Sequence, residues 1–280
     1  MYLFKTVADL KNFISHEKQT GKQIGFVPTM GALHNGHLSL IKESLAKTAL
    51  TICSIFVNPT QFDDDKDLEK YPRTLENDME ILHDCGNHVV FAPSVHEIYP
   101  EGLDTQIKVK LGKLASVMEG AFRPGHFEGM MQVVNRLLDI VEADHLFMGQ
   151  KDFQQAAIVK EMIKQTARPT TLHVCPIIRE DNGLARSSRN ERLSAKQRNQ
   201  AKALYESLLF VKANKAKANI DALKNQALEI IQNAGLKPLY FEIVDGDSLQ
   251  SISSFEDTDY PVACLAAFMG EIRLIDNMIL

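Results

Sequence analysis

The segment LTICSIFV at 50–57 is rich in β-branched residues and apolar on both faces of a strand. A strand with two apolar faces has to be covered on both sides. That condition points to a parallel sheet between two layers of helices. The neighbouring sequence agrees. Residues 24–28 read as a strand, and Leu38, Leu40, Ile41 and Leu45 follow at helical spacing, so 24–57 forms a βαβ unit. The alternation continues with helix at 75–85, strand at 88–92, helix at 132–141, strand at 145–148, helix at 154–166 and strand at 171–178. After the turn-forming EDNG at 180–183 the pattern changes. Helices are predicted at 194–210 and 220–233 and strands at 239–244, 262–269 and 272–279, the last two flanking a Gly270-Glu271 hairpin turn. The expected architecture is α/β. A Rossmann-like doubly wound parallel sheet domain spans 1–180, and a smaller α+β domain spans 181–280.

Charge narrows the function classes. Lys plus Arg number 31 against 36 Asp plus Glu, a net charge of −5. A chain whose main task is to coat nucleic acid is usually basic, so no nucleic-acid partner is expected. Residues 186–217 are the exception, with a local balance of +7 that leaves −12 elsewhere. The four cysteines, Cys53, Cys85, Cys175 and Cys264, form no CxxC pair, which argues against a zinc site or a disulfide framework. No apolar run approaches the roughly 20 residues of a membrane helix. Charges interrupt the N-terminal segment where a signal peptide would be apolar. A cytoplasmic location is expected.

Ligands of open parallel sheets bind beyond the carboxyl ends of the strands, so the strand tips are the places to look for chemistry. The first tip carries Met30, Gly31, Ala32, Leu33, His34, Asn35, Gly36 and His37 at the start of a helix, where free N–H groups and the positive dipole end suit an anion. An HxxH pair by itself is more simply a polar helix cap. The second tip carries Asn58 and Gln61, neutral amides able to donate to a carboxylate or hydroxyl. The third carries Gly149, Gln150, Lys151 and Asp152, followed by Gln155. Lys151 there suits phosphate and Asp152 either ribose or a helix cap. Inside the basic stretch, Arg186, Ser187, Ser188 and Arg189 match an oxyanion, although a solvated loop has the same composition.

Taken together, PTMGALHNGHLSLI, SIFVNPTQF, YPRTLENDM, RPGHFEGM, MGQKDFQQ, GLARSSRN and RLIDN resemble, in order and over nearly the whole chain, the pantoate–β-alanine ligase family of the HxGH nucleotidylyltransferase superfamily. The resemblance implies a carbon–nitrogen ligase that makes pantothenate from pantoate, β-alanine and ATP. It implies a pantoyl adenylate intermediate, release of AMP and pyrophosphate, Mg²⁺, a homodimer and a C-terminal lid. By the same resemblance His37, His34, Lys151 and Arg189 are catalytic. The segments from Met30 to His37, Gly149 to Asp152 and Arg186 to Arg189, together with Ile178, bind ATP. Gln61 and Gln155 bind pantoate, and Asp78 is a candidate for Mg²⁺. Arg186 and Gln150 stand where many members carry other residues. Little consequence is implied for Gln150, because Lys151 remains beside it.

Overall fold

A computed structural model describes residues 1–62, 68–69, 71–103, 107 and 109–280. Six strands make one sheet: β1 (Tyr2–Phe4), β2 (Ile24–Thr29), β3 (Leu50–Ile55), β4 (Val89–Phe91), β5 (His145–Gly149) and β6 (Thr171–Cys175). Their order is β1-β4-β3-β2-β5-β6, and every pairing is parallel. The chain winds outward from β2 through β3 and then returns to place β5 on the other side of β2. The topological switch therefore lies between the carboxyl ends of β2 and β5. The expected doubly wound sheet is present. β3 and β4 are buried along almost their whole length, as a sheet covered on both faces requires.

The helices accompanying this sheet are α1 (Val7–Gln19), α2 (Asn35–Lys47), α3 (Leu75–Asp84) and the single-turn α4 (Val95–Ile98). Next come the short α5 (Glu119–Phe122), α6 (His126–Val141) and α7 (Phe153–Gln165). Helix α6 starts six residues before its predicted beginning. Eleven of its sixteen residues are buried, and a narrow polar stripe of Glu128, Gln132, Asn135, Arg136 and Asp139 runs along the rest. Gly129, a poor helix former, masks the early start in the sequence. One apolar cluster joins α2 and α3 to the sheet through Leu40, Ile41, Leu82, Val27, Val90 and Phe147.

The C-terminal region holds α8 (Ala195–Gln200), α9 (Ala203–Asn214), α10 (Ile220–Asn233) and the antiparallel sheet β7 (Lys237–Asp245), β8 (Pro261–Met269), β9 (Ile272–Ile279). The helix expected at 194–210 is broken at Ala201–Lys202. Ala201 and Ala203 are both buried, and a straight helix would place residues two apart on opposite sides, so the turn brings both inward. The predicted hairpin is present, with Met269 opposite Ile272 across Gly270 and Glu271.

By packing, the chain divides into two units. One comprises Met1–Leu111, Arg123–Gly149 and Ile158–Cys175; the other comprises Gly112–Phe122, Gln150–Ala157 and Pro176–Leu280. The second unit thus draws in two segments that precede residue 180. Gln154 explains one link, since its buried amide donates to the carbonyls of Leu114 and Val117 and accepts from Glu119 N. All four cysteines are free thiols. Burial pushes the Cys53 thiol up to about 12 and Cys175 to about 11, which keeps both protonated. Among the described residues, no helix is long and apolar enough to cross a membrane.

Candidate active site

Strand β2 ends at Thr29, and the following loop turns sharply. Gly31 has φ +80° and Ala32 φ +50°, both in the left-handed region. A Cβ on Gly31 would lie 3.0 Å from Asp78 Oδ2 and 3.1 Å from Ile55 Cγ2, so glycine is required by space as well as by φ. Asp78 stabilises this shape. It is fully buried, its Oδ1 accepts from Leu33 N at 2.8 Å, and its Oδ2 accepts from Ala32 N at 3.0 Å and from Thr74 Oγ1 at 3.2 Å. A charged acceptor for two backbone N–H groups offsets the cost of the left-handed Ala32.

The loop ends in a capping box made of histidines. His34 is the N-cap of α2, and its Nδ1 accepts from Gly36 N at 3.1 Å. His37 Nδ1 accepts from His34 N at 3.3 Å. Both bonds need an unprotonated Nδ1, so each neutral ring carries its proton on Nε2. The rings lie 4.1 Å apart between centroids. The result is two Nε2–H donors at the positive end of a helix dipole, a suitable arrangement for phosphate oxygens. The cap that the sequence offered as the plainer reading is real, and it also fixes the tautomer of both rings.

At the tip of β3, Gln61 closes a short turn at Pro59–Gln61. Its Nε2 donates to Met30 Sδ at 2.8 Å, and its Oε1 accepts from Asn58 Nδ2 at 3.3 Å. Asn58 is itself buried and accepts from the Tyr99 hydroxyl at 2.9 Å. The backbone of Gln61 is held from α6, where the ring Nδ1 of the buried His126 lies 2.8 Å from Gln61 O, and Arg123 lies 2.9 Å from the other ring nitrogen. With Gln61 O accepting, Nδ1 carries the His126 proton and Nε2 accepts from Arg123. Gly129 allows α6 this close, since a Cβ there would meet Thr60 O at 2.1 Å. The RPGH segment therefore supports Gln61, a role that sequence reasoning missed.

In the second unit, Lys151 and Asp152 sit on a single turn after Gly149, with Lys151 Nζ 3.7 Å from Asp152 Oδ2. The side chain of Gln150 donates to Asn277 Oδ1 at 3.0 Å, so Gln150 is a structural partner and not an inconsequential variant. Gln155 lies half-buried on the first turns of α7, while its neighbour Gln154 faces the segment 112–122. Strand β6 stops at Cys175 because Pro176 follows, and Ile178 lies beyond it with its carbonyl accepting from Arg186 N at 2.9 Å. Arg186 is answered by Glu180, NH1 to Oε1 at 3.7 Å, so its charge is offset within its own loop. Ser187 Oγ accepts from Arg189 N, and Ser188–Arg192 forms a single turn. Further along, Lys196, Lys212, Lys215 and Lys217 are exposed, the solvated face of a helical region.

The contacts of Asp78 are with the loop after β2 and with Thr74. Both its oxygens are committed to N–H and O–H donors in a fully buried position. Among the described residues, no group of three or more His, Cys, Asp and Glu side chains is arranged to hold a metal ion.

Comparison with known proteins decides the family. The chain matches the model of the family described as pantoate-beta-alanine ligase over residues 2–279. The chain belongs to the pantoate–β-alanine ligase family. It is 48% identical over 279 residues to the pantothenate synthetase of Bacteroides thetaiotaomicron, covering 99% of this chain and 98% of that relative. The crystal structure of pantothenate synthetase from Thermus thermophilus superposes with a TM-score of 0.92 at 36% identity, covering 99% of both chains. A pantoate–β-alanine ligase structure from Francisella tularensis, complexed with "Beta-gamma ATP" and β-alanine, superposes with a TM-score of 0.82 at 36% identity. It covers 100% of this chain and 97% of that one. As a pantoate–β-alanine ligase family member, the chain is an enzyme of the carbon–nitrogen ligase class.

Proposed function

We propose that the chain joins pantoate to β-alanine using ATP, through pantoyl adenylate. In the first step a pantoate carboxylate oxygen bonds to the α-phosphorus, and the bond to the bridging oxygen breaks, releasing pyrophosphate. In the second step the β-alanine amine attacks the acyl carbonyl, loses a proton and expels AMP.

The observation that carries this reading is the histidine capping box. With both Nδ1 atoms engaged, His34 and His37 offer Nε2–H donors. Donors held in advance of the reaction stabilise charge that builds on the phosphoryl oxygens and the departing pyrophosphate. Lys151 and Arg189 supply positive charge for the same oxygens, with Ser187 and Ser188 as hydroxyl partners. The remaining ATP contacts are the backbone from Met30 to Gly36, the Gly149–Gln150 backbone, Asp152 to ribose and Ile178 to adenine. Gln61 and Gln155 hold pantoate, and Gln61 also meets β-alanine. Mg²⁺, which the family implies, would supply positive charge to the phosphates of ATP alongside Lys151 and Arg189. A homodimer and a cytoplasmic location complete the reading and rest on the family alone.

The test is product analysis with purified protein. AMP is expected only when pantoate, β-alanine and ATP are all present, and pantoate-dependent exchange of labelled pyrophosphate into ATP is expected without β-alanine. A stable nucleotidylated product that forms with no need for an amine would overturn the proposal in favour of a nucleotidyltransferase.

A further inference from the structure

Strand β9 carries a polar pair in its second half, Asp276 and Asn277, and both are buried. Asp276 is satisfied by Arg179, whose NH1 and NH2 lie 2.6 and 3.0 Å from its two oxygens. Arg179 in turn stacks 4.0 Å above the Tyr205 ring. Asn277 is occupied differently. Its Nδ2 donates to the carbonyls of Gln150 at 2.9 Å and Lys151 at 3.0 Å, and its Oδ1 accepts from Gln150 Nε2 at 3.0 Å. Both amide protons and the carbonyl are thus used on one turn of chain about 126 residues away. That turn carries Lys151, whose side chain is 19% exposed and therefore has little freedom once its backbone is fixed.

We infer that Asn277 is a positioning residue that sets the backbone under Lys151. The inference rests on the reading of Lys151 as a phosphate contact. Only an amide meets the requirements of the site. Two inward-facing carbonyls need two donors on one side chain. Alanine would leave them unpaired in the interior. Aspartate has the same size but would set a carboxylate against two carbonyl oxygens and offer a rival partner to the lysine ammonium. Arg179 completes the arrangement, because it engages the adjacent Asp276 carboxylate that would otherwise compete for Lys151.

The experiment is a double-mutant cycle on kcat/KM for ATP, with thermal melts of every variant. Asn277→Ala and the isosteric Asn277→Asp are expected to lower kcat/KM for ATP by roughly 10- to 100-fold, the scale of an ångström-sized misplacement. KM for β-alanine should stay near its original value. In a Lys151→Ala background, Asn277→Ala is expected to add less than about twofold, since the group it positions has gone. If either substitution at Asn277 prevents folding, Gln150→Ala breaks one bond of the same network and enters the same cycle, with the same non-additivity expected. Full multiplication of the two effects would overturn the inference while leaving the Lys151 reading intact. Unchanged kcat/KM in Lys151→Ala alone would remove that reading, and the inference with it.

Discussion

Two segments of this molecule carry phosphate-matched groups, and each is braced from behind by one buried side chain of opposite polarity. The loop after β2 turns its N–H groups inward and is held by a carboxylate, Asp78. The turn after β5 presents two carbonyls inward and is held by an amide, Asn277. In each case the brace matches what the backbone offers. Charge follows the same logic. A carboxylate is tolerated behind the first loop because the donors there are neutral histidines and backbone N–H groups. Behind Lys151 a carboxylate would capture the cation. The nearby Asp276 is accordingly paired with an arginine of its own.

The most severe disruption of this comparison is expected from Arg179→Leu. It strands a buried carboxylate, and breaking such a pair costs about 3–5 kcal/mol of stability. Burial already pushes the Asp276 carboxyl up, with Arg179 pulling it back. Without the arginine the folded-state value rises further above the unfolded one, so folding favours the protonated acid. The deficit should therefore grow as pH rises past the unfolded carboxylate range and shrink as pH falls. Denaturant unfolding of variant and parent across pH checks this; a pH-independent deficit would contradict it.

Next in size is Asp78→Ala, which leaves two N–H groups without their charged acceptor and should cost about 3 kcal/mol in denaturant unfolding. Asp78→Asn should fall between parent and alanine, because one amide oxygen can serve only one side of the pair well. If Asp78→Asn proved neutral while Asn277→Asp was damaging, the polarity match would hold for one segment only.

The smallest effect separates the two glycines. Gly31→Ala combines a left-handed φ with contacts at 3.0 and 3.1 Å and should cost about 1–2 kcal/mol. Gly149→Ala has nothing within 4 Å of the added Cβ and no left-handed φ, so its melting temperature should stay close to that of the parent. Equal costs at the two positions would show that strain is not confined to the first loop.

Much of this is legible in the sequence. The apolar segment at 50–57 and the turn at 180–183 anticipate a parallel sheet followed by a smaller α+β region, and the hairpin at Gly270-Glu271 falls where it is expected. HNGH marks its own helix start, because a cap is a local matter of residues two and three apart. Helix α6 starts earlier than predicted even though Glu128, Gln132, Asn135, Arg136 and Asp139 give it a helical polar stripe from its first turn. Gly125 and Gly129, poor helix formers, mask its beginning in the sequence. The break between α8 and α9 leaves no local signal, because it depends on which alanines the core admits.

By itself, then, the sequence determined five of the six strands of the sheet, missing only the edge strand β1, and the polar residues at the strand tips. These follow from periodicity, turn chemistry and capping, all of which act over a few residues. Only the tertiary structure decided what holds those tips. It made Asp78 a brace for a loop 45 residues away, and it placed Asn277 under the Lys151 carbonyl across 126 residues. A buried carboxylate and a surface metal ligand are the same letter in a sequence. What separates them is which backbone groups are left unpaired nearby, and that is settled only when distant segments pack together.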